Sequence, residues 1–162
     1  MMRTFIPTIV LTLLSISPVS AFQAVKDWSV FGNDTLCWAS TYPIDGKTIN
    51  KIKGKKDGHL SVLYYPAQNT VSAISVGAGV LNSDQWTVSF DVDGRRFEAL
   101  SFKQAAFVGS GAPERRLIAA MKAGKQMTVS WKDAYGNRAK EVYSLLGFTE
   151  ASKEAAVKCR NL

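Results

Sequence analysis

The chain has 162 residues, 46% of them hydrophobic and 20% charged, with a formal net charge of +7. That composition fits one globular domain and excludes a disordered, collagen-like or repeat-built chain. A single histidine, His59, leaves a histidine-based metal site without identifiable partners.

The first residues read MMRTFIPTIVLTLLSISPVSAF. Arg3 supplies a charged start, Phe5 to Ile16 an apolar stretch, and Val19-Ser20-Ala21 small residues at a cleavage point. The pattern predicts a secretory signal peptide over residues 1–21, cut after Ala21 or Ala24. The apolar stretch is too short for a membrane anchor and is broken by Thr8, Thr12, Ser15 and Pro18. No cysteine sits at the cleavage point to carry a lipid, and no later stretch is long and apolar enough to span a bilayer. Residues 22–162 are then expected to form a single β-rich domain in the periplasm, or secreted to the cell surface. An exported chain with two cysteines usually pairs them, so a structural disulfide between Cys37 and Cys159 is expected. Closing so long a loop contributes about 4–5 kcal/mol in the loop-entropy model. A redox or nucleophilic cysteine would need a Cys-x-x-Cys spacing or a histidine partner, and neither spacing is present.

In chain order, DWSVF and TLCWAS read as the first strands, with Trp28 and Trp38 as core candidates. Next comes PIDGKTINKIKGKKDGH, holding Lys47, Lys51, Lys53, Lys55 and Lys56 against Asp45 and Asp57. It reads either as an anion-attracting loop or as a solvated hairpin loop; no aromatic residue is interleaved for base stacking. HLSVLYY and TVSAISV follow as strands, separated by Pro66 to Asn69, and the glycines of Val76 to Val80 read as a bulge or tight bend. In DQWTVSFDVDGRRFEALSF, Trp86, Val88, Phe90 and Val92 alternate with polar residues, the period of a half-buried strand. Asp93-Gly94 is a type I′ turn signal, which sets Val92 opposite Arg95, Asp91 opposite Arg96 and Phe90 opposite Phe97.

GAPERRLIAAMKAGKQ reads as a helix: Pro113 at its first position, Glu114 in its first turn, an apolar face of Leu117, Ile118 and Met121, and Gly124 as its C-cap. KQMTVSWK, a DAYGN turn and RAKEVYSLL return to strands. A closing helix follows, with Thr149 as N-cap and Ala151, Ala155 and Cys159 on one stripe of small residues. The sum is a mainly β protein, an antiparallel β-sandwich or barrel-like fold with one internal α-helix and a short C-terminal helix.

DWSVFGNDTLCWAS, AFVGSGAPERRLIAAMKAGKQMTVSW and YGNRAKEVYSLLGFTEASKEAAVKC together resemble the invasion-associated locus B family of bacterial exported proteins. The resemblance runs from about Trp28 to Cys159. It implies a β-sandwich-like exported protein of alphaproteobacterial type, from a family linked in part to host-cell entry and without an established reaction. The lysine-rich segment near residues 47–56 departs from the pattern.

Catalytic constellations are thin. Ser110 in GSGAP lacks the Gly-x-Ser-x-Gly spacing and reads as the loop before the helix, and Val76 to Val80 precede no P-loop lysine. Asp91 and Glu98 share a strand-pair face that solvation explains. The expected function is therefore non-enzymatic binding, with no cofactor and no metal. The partner would be an anionic envelope component or host surface, not a specific nucleic acid, reached through Lys47, Lys51, Lys53, Lys55 and Lys56. The rival reading is a periplasmic small-ligand carrier or enzyme with an unrecognised pocket, which an aromatic-lined cavity with convergent polar groups would favour.

Overall fold

The computed structural model describes residues 23–33, 35–44, 58–65, 70–76, 87–102, 105–132 and 138–160. The expected signal peptide, the lysine-rich segment, the Val76 to Val80 glycines beyond Val76, Trp86 and the DAYGN turn lie wholly or mostly outside these residues.

Two antiparallel sheets form the fold. The first runs in the order β1 (Gln23–Val25), β2 (Trp28–Gly32), β3 (Cys37–Thr41), β4 (Leu60–Tyr65) and β5 (Thr70–Val76). The second is built from β6 (Thr87–Val92), β7 (Arg95–Phe102), β8 (Ala105–Phe107), β9 (Gln126–Lys132) and β10 (Arg138–Ser144), in the spatial order β10-β9-β6-β7-β8. Helix α1 (Ala112–Ala123) connects β8 to β9, and α2 (Phe148–Arg160) follows β10. The sheets meet at both margins. β5 lies alongside β8, while Pro43, just past β3, bridges to Tyr143 and the Ile44 N–H donates to the Val142 carbonyl at 2.7 Å. The result is barrel-like, as the strand pattern predicts. The short strands β1 and β8 carry no alternation long enough to announce themselves.

Period-two alternation decides what is inside. Val88, Phe90 and Val92 of β6 and Met127, Val129 and Trp131 of β9 are buried, and the polar residues between them face out. The hairpin register is as expected: Phe90 opposite Phe97, Asp91 opposite Arg96, Val92 opposite Arg95. Asp93 and Gly94 hold φ of 48° and 90°, the left-handed pair that a type I′ turn demands. Trp38 departs from expectation. Cys37, Ala39 and Thr41 take the inward phase of β3, so Trp38 points to the outer face, half-buried, and stacks on Phe31 with ring centroids 5.3 Å apart.

Trp28 is fully buried against Phe148, 5.0 Å between ring centroids, and its indole N–H donates to the Ser144 carbonyl at 3.0 Å. Aromatic burial of this kind carries about 1.5–3 kcal/mol per side chain. Ala151, Ala155 and Cys159 are buried on one stripe of α2, which packs on β2, β3 and β4. Small side chains let the helix approach closely, and Cys37 and Cys159 are bonded with their Cα atoms 5.6 Å apart.

One helix-end expectation holds and one is corrected. Gly124 is the C-cap of α1, in an extended conformation (φ −90°, ψ 169°); a Cβ there would stand 2.6 Å from Val92 Cγ1, so close packing also calls for glycine. Thr149 lies inside α2 rather than capping it, and its hydroxyl donates to the Lys122 carbonyl at 3.4 Å. The turn before α2 is made instead by Gly147, at φ 93°.

Candidate functional site

The alternation that fills the core also assembles the outer face of the second sheet. Its rows follow from the registers. Leu100 is next in line on β7 after Ala99, which opposes Val88, and so falls beside Thr87; Thr87 opposes Lys132, and Lys132 opposes Arg138. Glu98, Ser89, Ser130 and Lys140 form the next row, and Arg96, Asp91, Thr128 and Val142 the third. Short hydroxyl side chains occupy the middle, and cations stand around them. A half-open groove of about 590 Å³ lies here, lined among others by Ser89, Ser130, Arg96, Lys132, Arg138 and Lys140.

Charge on this face is unevenly spread. Asp91 and Glu98 sit toward the β6–β7 side, and Asp91 Oδ1 accepts the Gly94 N–H at 2.9 Å. Lys132, Arg138 and Lys140 gather on the β9–β10 side, with Leu100 (59% exposed) and Phe102 (57% exposed) at the end of β7. Cations and exposed large apolar side chains thus share one sheet face, two to three strands apart, which suits a broad surface that is both anionic and apolar beneath.

The expected lysines, Lys47, Lys51, Lys53, Lys55 and Lys56, lie outside the described residues, but the residues flanking them are placed. Ile44 binds the Val142 backbone, and the Gly58 N–H donates to Glu141 Oε1 at 3.2 Å. Both flanks of the lysine segment are thus fastened to β10, the strand that bears Arg138 and Lys140. Glu141 itself is buried and faces inward, where Tyr143 donates to it.

Of the other singled-out residues, Cys37 and Cys159 are joined and structural. His59 is exposed just before β4, and Ser110 is exposed in the turn before α1. No family model, no curated protein and no solved structure matches the chain. Among the described residues no helix is long and apolar enough to cross a membrane.

Sequence reasoning missed the cationic face, although its signal was present. Lys132 ends the alternating KQMTVSWK, and Arg138 and Lys140 flank the buried Ala139, all in outward phase. It also missed a second depression, between the helices, where the Tyr64 and Ser152 hydroxyls are hydrogen-bonded to each other. Burial pushes the Tyr64 phenol above its ordinary 10.0, against the smaller opposing effect of the Ser152 bond.

Proposed function

We propose that this is an exported, non-enzymatic protein of the cell envelope that docks on an anionic lipid surface. The observation that carries the reading is the outer face of the second sheet, where Lys132, Arg138 and Lys140 of β9 and β10 stand by small hydroxyls, and exposed Leu100 and Phe102 lie on β7 of the same face. Cations draw the protein to phosphate-bearing headgroups, and the two apolar side chains enter the boundary below them. Lys47, Lys51, Lys53, Lys55 and Lys56 belong to the same proposal, since their segment leaves and rejoins the fold at β10. The signal-like residues 1–21 and the resemblance to invasion-associated locus B proteins support an envelope location. On this reading, contact with a host cell is one use of a general attachment to anionic surfaces.

The test is co-sedimentation with vesicles of phosphatidylglycerol or of phosphatidylcholine, at low and physiological salt. Wild type should bind the anionic vesicles, and bind less at physiological salt, where screening acts over about 8 Å. Lys132→Gln, Arg138→Gln and Lys140→Gln together should abolish most of that binding with little loss of stability. Equal retention of wild type and this variant, or equal binding to both lipids, overturns the reading.

A further inference from the structure

The second depression lies between the two helices, and no residue that lines it lies on the outer sheet face. Arg115, Ile118, Ala119 and Lys122 fall at i, i+3, i+4 and i+7, one stripe of α1. Ser152, Lys153 and Ala156 face them from α2, and Tyr64 of β4 closes the floor. The cleft encloses about 400 Å³ and is half-open, within the size range of small-ligand sites.

Two kinds of chemistry meet in it. Ile118, Ala119 and Ala156 give an apolar track, and Arg115, Lys122 and Lys153 stand exposed at its rim. No carboxylate is among the described lining residues. By helical periodicity, Glu150 and Glu154 fall on the opposite side of α2 from Ser152 and Ala156. Glu150 lies three residues before Lys153 and Glu114 next to Arg115, but neither lines the cleft, so the charge at its rim is cationic. At the floor, Tyr64 and Ser152 share one hydrogen bond, which uses one of their two hydroxyl protons. The other proton belongs to a buried hydroxyl with no further partner among the described residues, and it remains a donor for an acidic group.

We propose that this cleft binds a single-chain anionic amphiphile, a fatty-acid carboxylate, with its head among Arg115, Lys122 and Lys153 and its chain along Ile118, Ala119 and Ala156. Charge complementarity selects the anion, the apolar track selects a tail, and the small volume selects one chain over two. Vesicle docking and cleft binding use separate residues, so either can fail alone.

Isothermal titration of the whole protein with laurate, below its micelle concentration, tests the proposal. Dodecyltrimethylammonium supplies the same tail with the opposite charge, and acetate the head without the tail. Laurate should bind, and neither control should. Lys122→Glu with Lys153→Glu should weaken laurate binding about tenfold or more. Ala119→Trp, at an exposed position, should block the track and nearly abolish binding. Arg95→Gln, exposed on the hairpin between β6 and β7 and part of neither surface, should leave laurate affinity unchanged. The proposal is overturned by a wild type that does not bind laurate, by equal affinity in the cleft variants, or by equal binding of dodecyltrimethylammonium. A concentration-dependent dimer dispersed by Ala119→Trp would overturn it too, by making the cleft an interface between copies of the chain.

Discussion

Glu141 and Tyr143 stand two residues apart on the inward face of β10, and the Tyr143 hydroxyl donates to Glu141 Oε2 at 2.8 Å. The other carboxylate oxygen takes the Gly58 N–H. A buried carboxylate is costly unless such donors surround it, so this pair marks the point where the chain returning from the lysine segment is pinned to the second sheet.

Replacing that acceptor should be felt. Glu141→Ala withdraws a partner from two buried donors and should lower unfolding free energy by at least about 2 kcal/mol. Glu141→Gln, which keeps an acceptor and the side-chain volume, should cost clearly less. Urea unfolding of both variants measures the difference, and a Glu141→Ala protein as stable as wild type would remove the pinning role.

The hairpin between β6 and β7 makes a second prediction. Gly94 sits at φ 90°, where a β-branched side chain is strained by about 1–2 kcal/mol or more. Gly94→Val should lower the melting temperature, while Gly94→Asn, better suited to positive φ, should lower it less. Equal melting points for the two variants would contradict the turn assignment. Asp93 adds weight to the site, since its carboxylate accepts the Lys125 and Gln126 N–H groups at 2.6 and 3.3 Å and ties the hairpin tip to the start of β9.

Much of this was readable from residue order alone. Asp93-Gly94 gave the hairpin and its register because local turn chemistry determines both. The stripe of Ala151, Ala155 and Cys159 likewise pointed inward as its spacing required. Trp38 was misplaced because hydrophobicity was weighed over phase: Cys37 and Ala39 are smaller, yet their shared alternation with Thr41 decides the inward face. The cationic face and the helix cleft were harder to see. Each is made by residues far apart in sequence, such as Arg96 with Lys140 and Tyr64 with Ser152, whose adjacency depends on strand order and helix placement.

Alkaline pH offers a third test, directed at Tyr64. Burial raises its phenol above 10.0 in the folded state, so the fold holds that proton more tightly than the unfolded chain does. The associated stability is fully present below pH 10.0 and is lost as pH rises through the higher folded value. The urea midpoint of wild type should therefore fall more steeply than that of Tyr64→Phe between pH about 9 and about 11.5. Parallel curves for the two proteins would show that Tyr64 does not contribute.

The bond between Cys37 and Cys159 spans a sequence separation of 122, and this changes what a protease can do to the molecule. Between those two positions the backbone is part of a covalent ring. A single cut inside the ring opens it without releasing either piece, because the ends remain tethered through sulfur, β3 to α2. The tether also keeps the pieces at high mutual concentration, so strands severed from one another remain within reach to pair again. A nicked molecule would keep its full mass until a reductant arrived. Damage to the main chain inside the ring would thus be separated from loss of the assembled fold.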